Sequence, residues 1–444
     1  MTEGREHERD VATARANRRP VLTVLTAEGI SQVGNMMTIV AGPWFVLQTT
    51  GSAAKTGLVG AALALGLLAP VLGGPLVDRV GFRRGTVVAD VLSAATVASI
   101  PALHLAGLLE YWHIVALVFV LSSINSLGDT AKLALVPALA RLAQMPPERV
   151  NARDRAVARL GSVLGPFLAG ALIAWIGAAN VLFVDAGTFC VSALLVAGGV
   201  PRTVDAGERQ PVQASGRRYL SELADGLRFV RSKPFLLWMI LVATVGNLFD
   251  QPLMTVVAPV YANDIYGSPA SFGALVGSFG AGAFAGSLVF GAVGGTWPRR
   301  RTFLTSYLVG AVLIYGTLAL SPPLVVAIVA AVAAGLAFGS VNPIFATVTQ
   351  EHTPPHLLGR VFGTLTAIAQ AAFPIGAAIA GWAVQRAGLI PTIVGMGLVY
   401  VVVTIAMFFN PALRGMDVRG ETGDVRAGTD DGATMTASRT TDIR

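Results

Sequence analysis

The chain has 444 residues, 54% of them apolar and only 13% charged, and its mean hydropathy is +0.66. Soluble folds carry roughly 25% charged residues, because they need a wettable exterior whatever the size of the core. A soluble enzyme is excluded, and so is a collagen-like chain, since the 50 glycines and 24 prolines follow no three-residue period. The single cysteine, Cys190, lies in an apolar run, so no internal disulfide is possible.

Residues 1–19 read as a retained polar tail, not a cleaved signal. Apolar runs follow at 20–48, 57–77, 85–107, 112–137, 156–176 and 179–199. After a polar stretch they resume at 235–260, 270–294, 302–320, 323–349, 359–385 and 390–410. A span needs about 20 apolar residues, so each run predicts one transmembrane helix. The predicted organisation is a cytoplasmic tail (1–19), a six-helix bundle (20–199), a cytoplasmic linker (200–234), a second six-helix bundle (235–410) and a disordered cytoplasmic tail (411–444). Within the linker, Leu220, Leu223, Leu227 and Val230 share one helical face and Glu222, Asp225 and Arg228 the other, the pattern of an interfacial helix.

Of the 32 basic residues, only Lys55 and Arg386 fall in loops on one face of this arrangement, and Lys132 lies inside a run. The others gather in the tails, the linker and the alternate loops, which assigns that face to the cytoplasm and puts both termini there. The net charge of +7 therefore reflects membrane topology, and no nucleic-acid partner is expected. The two halves also echo each other. Val33-Gly34-Asn35 returns as Val245-Gly246-Asn247, and Gly74 with Arg83-Arg84 returns as Gly291 with Arg300-Arg301. Gly165-Pro166 resembles Pro374-Ile375-Gly376. Parallel six-helix repeats of this kind build many transporters, with the substrate site between the repeats at mid-membrane.

The loop after the second run reads Gly74-Pro75-Leu76-Val77-Asp78-Arg79-Val80-Gly81-Phe82-Arg83-Arg84. Its spacing resembles the signature loop of the major facilitator superfamily. That resemblance implies the twelve-helix fold, and it makes Gly74, Asp78, Arg79, Gly81, Arg83 and Arg84 a cytoplasmic latch, for which the start of the eleventh helix at Gly359-Arg360 offers a partner. The second copy is degraded, with Gly295 and Thr296 in place of the acid and the first arginine. In the fifth run, Gly161, Gly165, Pro166 and Gly170 resemble the motif of antiporters in this superfamily, with Ala169 departing from it. Packing of small residues accounts for the same pattern.

A narrower resemblance rests on Leu135-Val136-Pro137, Val150-Asn151-Ala152, Phe183-Val184-Asp185-Ala186, Leu220-Ser221-Glu222, Asp225-Gly226-Leu227-Arg228-Phe229 and Gly359-Arg360-Val361-Phe362-Gly363 with Gln370 and Pro374. These residues are similar to the branch of macrolide-efflux proteins and enterobactin-type siderophore exporters. Asn35 stands where that branch often has an acid, and Ile124 where many drug antiporters have a proton-linked arginine.

A carboxylate at mid-span costs about 2.5–3.5 kcal/mol and usually faces a cavity or a partner. Asp250 near the midplane and Glu28 in the first helix are the protonation candidates. Asn35, Asn247, Asp129 and Gln370 join them as candidate proton- or substrate-binding residues. The spacing of Asp129 and Lys132 predicts a structural ion pair. Asp90 and Asp154 are expected to pair with loop arginines, and Asp185 to have a fixed hydrogen-bonding role. Met36, Met37, Trp44, Phe249 and Phe373 are expected to line an apolar cavity.

No enzyme signature, cofactor motif or metal site is found: Gly51-Ser52-Ala53-Ala54-Lys55-Thr56 lacks the glycine of a phosphate loop, and His352 and His356 flank Pro354-Pro355. The expectation is a monomeric, multi-pass, bacterial plasma-membrane exporter of drug-like or amphipathic molecules of the macrolide type. It would work by alternating access and proton antiport, with the lipid bilayer as its other partner. A siderophore exporter, a nutrient importer and a non-transporting membrane protein remain the alternatives.

Overall fold

The computed structural model describes residues 18–69, 80–202 and 216–417. The motif residues Gly74, Asp78 and Arg79, and most of both tails, lie outside them. Helices α1 (Arg19–Thr50), α2 (Ala53–Gly66), α3 (Phe82–Leu105), α4 (Tyr111–Leu142), α5 (Pro147–Ile176) and α6 (Ala178–Gly199) make the first half. The linker helix α7 (Gly216–Ser232) follows. The second half holds α8 (Pro234–Tyr266), α9 (Pro269–Val293), α10 (Arg299–Ala319), α11 (Leu324–His352), α12 (Leu358–Ala387) and α13 (Leu389–Phe408). Eleven helices among the described residues are long and apolar enough to cross a membrane; α2 is a shorter apolar helix whose run continues outside them.

Local chemistry sets the helix ends. Prolines open α1, α5, α8 and α9, where the missing N–H costs nothing. Gly51 and Gly267, both at φ 61°, close α1 and α8. Gly177 (φ 82°) and Gly388 (φ 90°) form the same single-residue joint between the last two helices of each half. Helix α8 holds two π turns, Leu253–Val257 and Ala262–Tyr266, around Pro252 and Pro259. Beside the first of them Thr255 donates to the Gln251 carbonyl at 3.0 Å, satisfying backbone that lipid could not.

The polarity is the reverse of a soluble protein's. Outer faces expose large apolar side chains such as Leu194, Trp175 and Val325, whereas Asp90, Asp185, Ser31 and Ser192 are buried. Packing within the first half pairs α1 with α5 and α6, α3 with α4 and α6, and α2 with α4. The second half repeats the scheme: α8 with α12 and α13, α10 with α11 and α13, and α9 with α11.

Two seams join the halves, α2 against α12 and α5 against α9. In the first, a Cβ on Gly57 would stand 2.9 Å from the Gly381 Cα. In the second, a Cβ on Gly273 would stand 2.8 Å from the Gly170 Cα. Both contacts lie toward the end of the bundle opposite the arginine-rich loops. Overpacking costs about 1–3 kcal/mol, so Gly273→Leu is expected to lower the melting temperature of the purified protein. Gly316→Leu, whose Cβ would meet nothing within 4 Å, should leave it unchanged.

Candidate functional site

The first half carries a polar column through its interior. Ser93 (α3) donates to the Asn125 side-chain oxygen (α4) at 2.6 Å, and the Asn125 amide donates to Asn35 (α1) at 2.8 Å. Gln32 reaches Ser162 of α5 at 3.4 Å. Toward the arginine-rich end, Lys132 of α4 ion-pairs across helices with Glu28 (3.2 Å) and Asp90 (3.6 Å). Asp90 also accepts from Ser192 of α6 at 2.6 Å. Four helices are tied through one ammonium group.

This network corrects two expectations. Lys132 does not pair with Asp129, because acids on α1 and α3 compete for it and hold it; Asp129 is exposed, facing a cavity. Asp90 is buried between α3, α4 and α6 and takes Lys132 and Ser192 as partners in place of loop arginines.

The second half has a different interior. Asp250 of α8 accepts a hydrogen bond from Tyr400 of α13 at 3.1 Å, and Tyr400 stacks on Phe249. Tyr315 of α10 donates to the Phe249 carbonyl at 3.0 Å. Asn247 donates to the Ala369 carbonyl of α12 at 3.0 Å, and Gln370 follows on that helix.

Comparison of the halves shows an exchange. In the first, the acid sits on the last helix: Asp185 of α6 accepts from Thr38 of α1 and, at 3.0 Å, from Thr188. In the second, the acid is on the first helix and the hydroxyl on the last. The repeat-related Gly34 and Gly246 make room for these groups: a Cβ on Gly34 would stand 3.0 Å from the Thr188 Cβ, and one on Gly246 3.1 Å from the Tyr400 hydroxyl oxygen. Neither Tyr400 nor Asn125 carried a sequence signal beyond being polar in an apolar run.

A cavity of about 230 Å³ opens between α1, α2 and α4 and is touched by Thr255 of α8. Asn35, Met36, Asn125 and Asp129 line it. Of the five residues expected there, Met36 lines the cavity and Met37, Trp44, Phe249 and Phe373 do not: Met37 and Trp44 are turned into a core that the first half shares with α9, where Trp44 stacks on Phe272. Phe249 is stacked on Tyr400.

The motif residues are structural neighbours of this region. Gly161 and Gly165 let α5 close on Gln32 and Met36 of α1, while Gly170 faces α9 and the Pro166 carbonyl abuts Gly273. Gly81, at φ 91°, precedes α3, and Arg84 is exposed. Arg83 donates to the terminal carbonyls of α6, Val200 at 2.7 Å and Ala197 at 2.5 Å. Its counterpart Arg300 donates to the Phe408 carbonyl of α13. The repeated arginine thus caps the last helix of its own half. Arg360, next to exposed Gly359, pairs with Asp225 of α7 at 3.2 Å.

Removing one member of a buried ion pair costs about 3–5 kcal/mol. Lys132→Met is therefore expected to destabilise the protein strongly in a thermal melt, and combining it with Glu28→Gln and Asp90→Asn should recover most of the loss.

Comparison with known proteins places this architecture. Residues 16–424 match the family model described as transmembrane secretion effector, of the major facilitator class. The multidrug efflux pump Tap of Mycolicibacterium fortuitum is 33% identical over 90% of this chain and 98% of that protein. The enterobactin exporter EntS of Escherichia coli is 29% identical over 81% of this chain and 83% of that protein. Among solved structures, the nucleoside transporter NupG superposes with a TM-score of 0.72 at 13% identity, over 88% of this chain and all but 1% of that one (99% covered). A bacterial Spinster homologue, solved in an inward-facing and unoccupied conformation, gives 0.69 at 14%, over 90% and 98%. The twelve-run sequence, the recurring helix pairing and these matches have one conclusion: the chain is a membrane transporter of the major facilitator superfamily and belongs to its transmembrane secretion effector family.

Proposed function

We propose that this transporter exports drug-like, amphipathic small molecules, antibiotics of the macrolide type among them, by alternating access coupled to proton entry. The observation that carries this reading is the mid-bundle cavity together with the two glycine seams that close the opposite end. With the arginine-rich loops in the cytoplasm, the chain would be a bacterial plasma-membrane protein with both termini inside, working as a monomer. Its cavity would load from the cytoplasmic side. Rocking of the two rigid halves about the seams would then open the external side. The likeness to Tap, a multidrug efflux pump, supports export, and the likeness to the enterobactin exporter keeps a siderophore as the second substrate class.

For the coupling ion, Asp250 and Glu28 are the proposed proton acceptors. Protonation removes a charge from a site where charge is costly and so biases the facing equilibrium. Asp250 has no lysine or arginine in salt-bridge reach among the described residues, only the Tyr400 hydroxyl. Asp78, outside the described residues, is proposed to seal the cytoplasmic side with the start of α12.

The test is efflux from a pump-deficient bacterium against macrolides, tetracyclines, dyes and siderophores. Wild type is expected to lower accumulation of at least one class, and an uncoupler of the proton gradient should abolish the effect. Asp250→Asn and Glu28→Gln should each lose gradient-driven export when compared with wild type at matched membrane abundance. Intact proton-driven export in both variants would sink the coupling assignment. Failure of wild type to export any member, or net uptake, would sink the efflux reading.

A further inference from the structure

The cavity wall carries charge of one sign only. Among the described residues that line it, Asp129 alone is charged. Its neighbour one turn along α4, Lys132, is in contact with Glu28 and Asp90 and makes no direct ion pair with Asp129, though its charge is still felt there. The wall hydroxyls have their hydrogens committed elsewhere. Ser122 donates to the Leu63 carbonyl at 2.7 Å, Ser126 to Leu67 at 3.3 Å, Thr255 to Gln251 at 3.0 Å, and Thr38 to Asp185. What these groups turn toward a guest is oxygen lone pairs, beside a carboxylate. Gln32, Asn35 and Asn125 add side-chain amides, the Asn125 amide donating to Asn35 and that of Gln32 to Ser162, and Met36, Ile39, Val59, Leu63 and Leu121 are among the apolar residues of the wall. At about 230 Å³ the cavity is smaller than the roughly 300–1,000 Å³ usual for whole drug-sized ligands, so it takes one end of such a molecule.

We propose that this cavity recognises a protonated amine on an apolar stem, with Asp129 as the specificity-determining residue. An ammonium brings both a positive charge for Asp129 and N–H donors for the surrounding acceptors, and neither a neutral nor an acidic guest supplies that combination. Lys132 takes part by being elsewhere: a lysine paired to Asp129 would fill the ammonium position itself. The inference rests on the export reading for its transport meaning, but the binding site stands on the wall chemistry alone.

The experiment uses the purified full chain in lipid nanodiscs and a pair of probes matched in shape. Tyramine carries an ammonium where 4-propylphenol carries a methyl group. Calorimetry, with empty nanodiscs subtracted, is expected to show tighter binding of tyramine by wild type. Asp129→Asn should weaken tyramine by about tenfold or more, the scale of losing one partner of a desolvated charge pair, and should leave 4-propylphenol unchanged. Retained binding of the neutral probe also shows that the variant is folded. Asp129→Glu should keep the preference for the amine. Equal binding of the two probes by wild type, no binding of either, or a preference that survives Asp129→Asn overturns the assignment. These outcomes leave the efflux reading untouched, because that reading fails only if wild-type cells export nothing from the drug panel.

Discussion

A polar group inside hydrocarbon has no water to turn to, and this requirement shapes the interior of the protein. Glu28 and Asp90 are drawn to one lysine from two different helices, and Ser192 completes the coordination of Asp90. Asp185 is held by two threonine hydroxyls and Asp250 by a tyrosine. All of these contacts except that of Asp185 with Thr188, which lies within α6, run between helices, so satisfying the polar groups also fixes which helices are neighbours. The pairings of α1 with α6 and of α8 with α13 are sealed in this way, by acid and hydroxyl. The exchange of donor and acceptor between the halves shows that the geometry of the contact, not the identity of the residue on either helix, is what the fold retains.

Between the halves the chemistry is different. The seams at Gly57 with Gly381 and Gly170 with Gly273 are backbone against backbone with little room for side chains, and beside the first of them Ser52 donates to the Gln385 side-chain oxygen of α12 at 3.1 Å. Close approach of smooth helix surfaces gains dispersion contact without locking long side chains into place. Ion pairs and hydrogen bonds concentrated within each half, and mostly smooth packing between them, suit two rigid bodies that rock on the proposed alternating-access reading. The arginine caps fit the same division, since Arg83 and Arg300 each close the last helix of their own half.

The helix order was legible in the sequence because spanning lengths of apolar residues are set by the bilayer, not by tertiary context. The resemblance of the signature loop and fifth-helix motif also pointed to the family that the comparison establishes. Side-chain partners were not legible. The i,i+3 spacing of Asp129 and Lys132 is a sound local argument, but Glu28 and Asp90 are brought to Lys132 by folding and outcompete the local neighbour. Asp90 looked terminal by its position in the run, yet it is enclosed by α4 and α6. The helices themselves run beyond the apolar stretches: α5 begins at Pro147, well before the run at 156, and carries Arg149 and Arg153 past the hydrophobic core. Tyr400 gave no sign in one dimension because a tyrosine's partner is chosen by the facing helix.

The two halves share their packing but not their electrostatics, and that asymmetry bears on coupling. In the first half the buried lysine offsets the charge of Glu28 and Asp90 whether or not a proton is bound. In the second half Asp250 has hydroxyl company only, and a hydroxyl can donate to a carboxylate or accept from a carboxyl without changing its own place. A group whose partners tolerate both charge states can lose and regain a proton with little rearrangement of its cradle. Glu28 instead shares Lys132 with Asp90 and Ser31, so it is tied into contacts that reach α1, α3 and α4. On the proposed reading the halves therefore divide the work. Asp250 suits simple proton binding, while Glu28 belongs to the ion-pair network that holds the first half together.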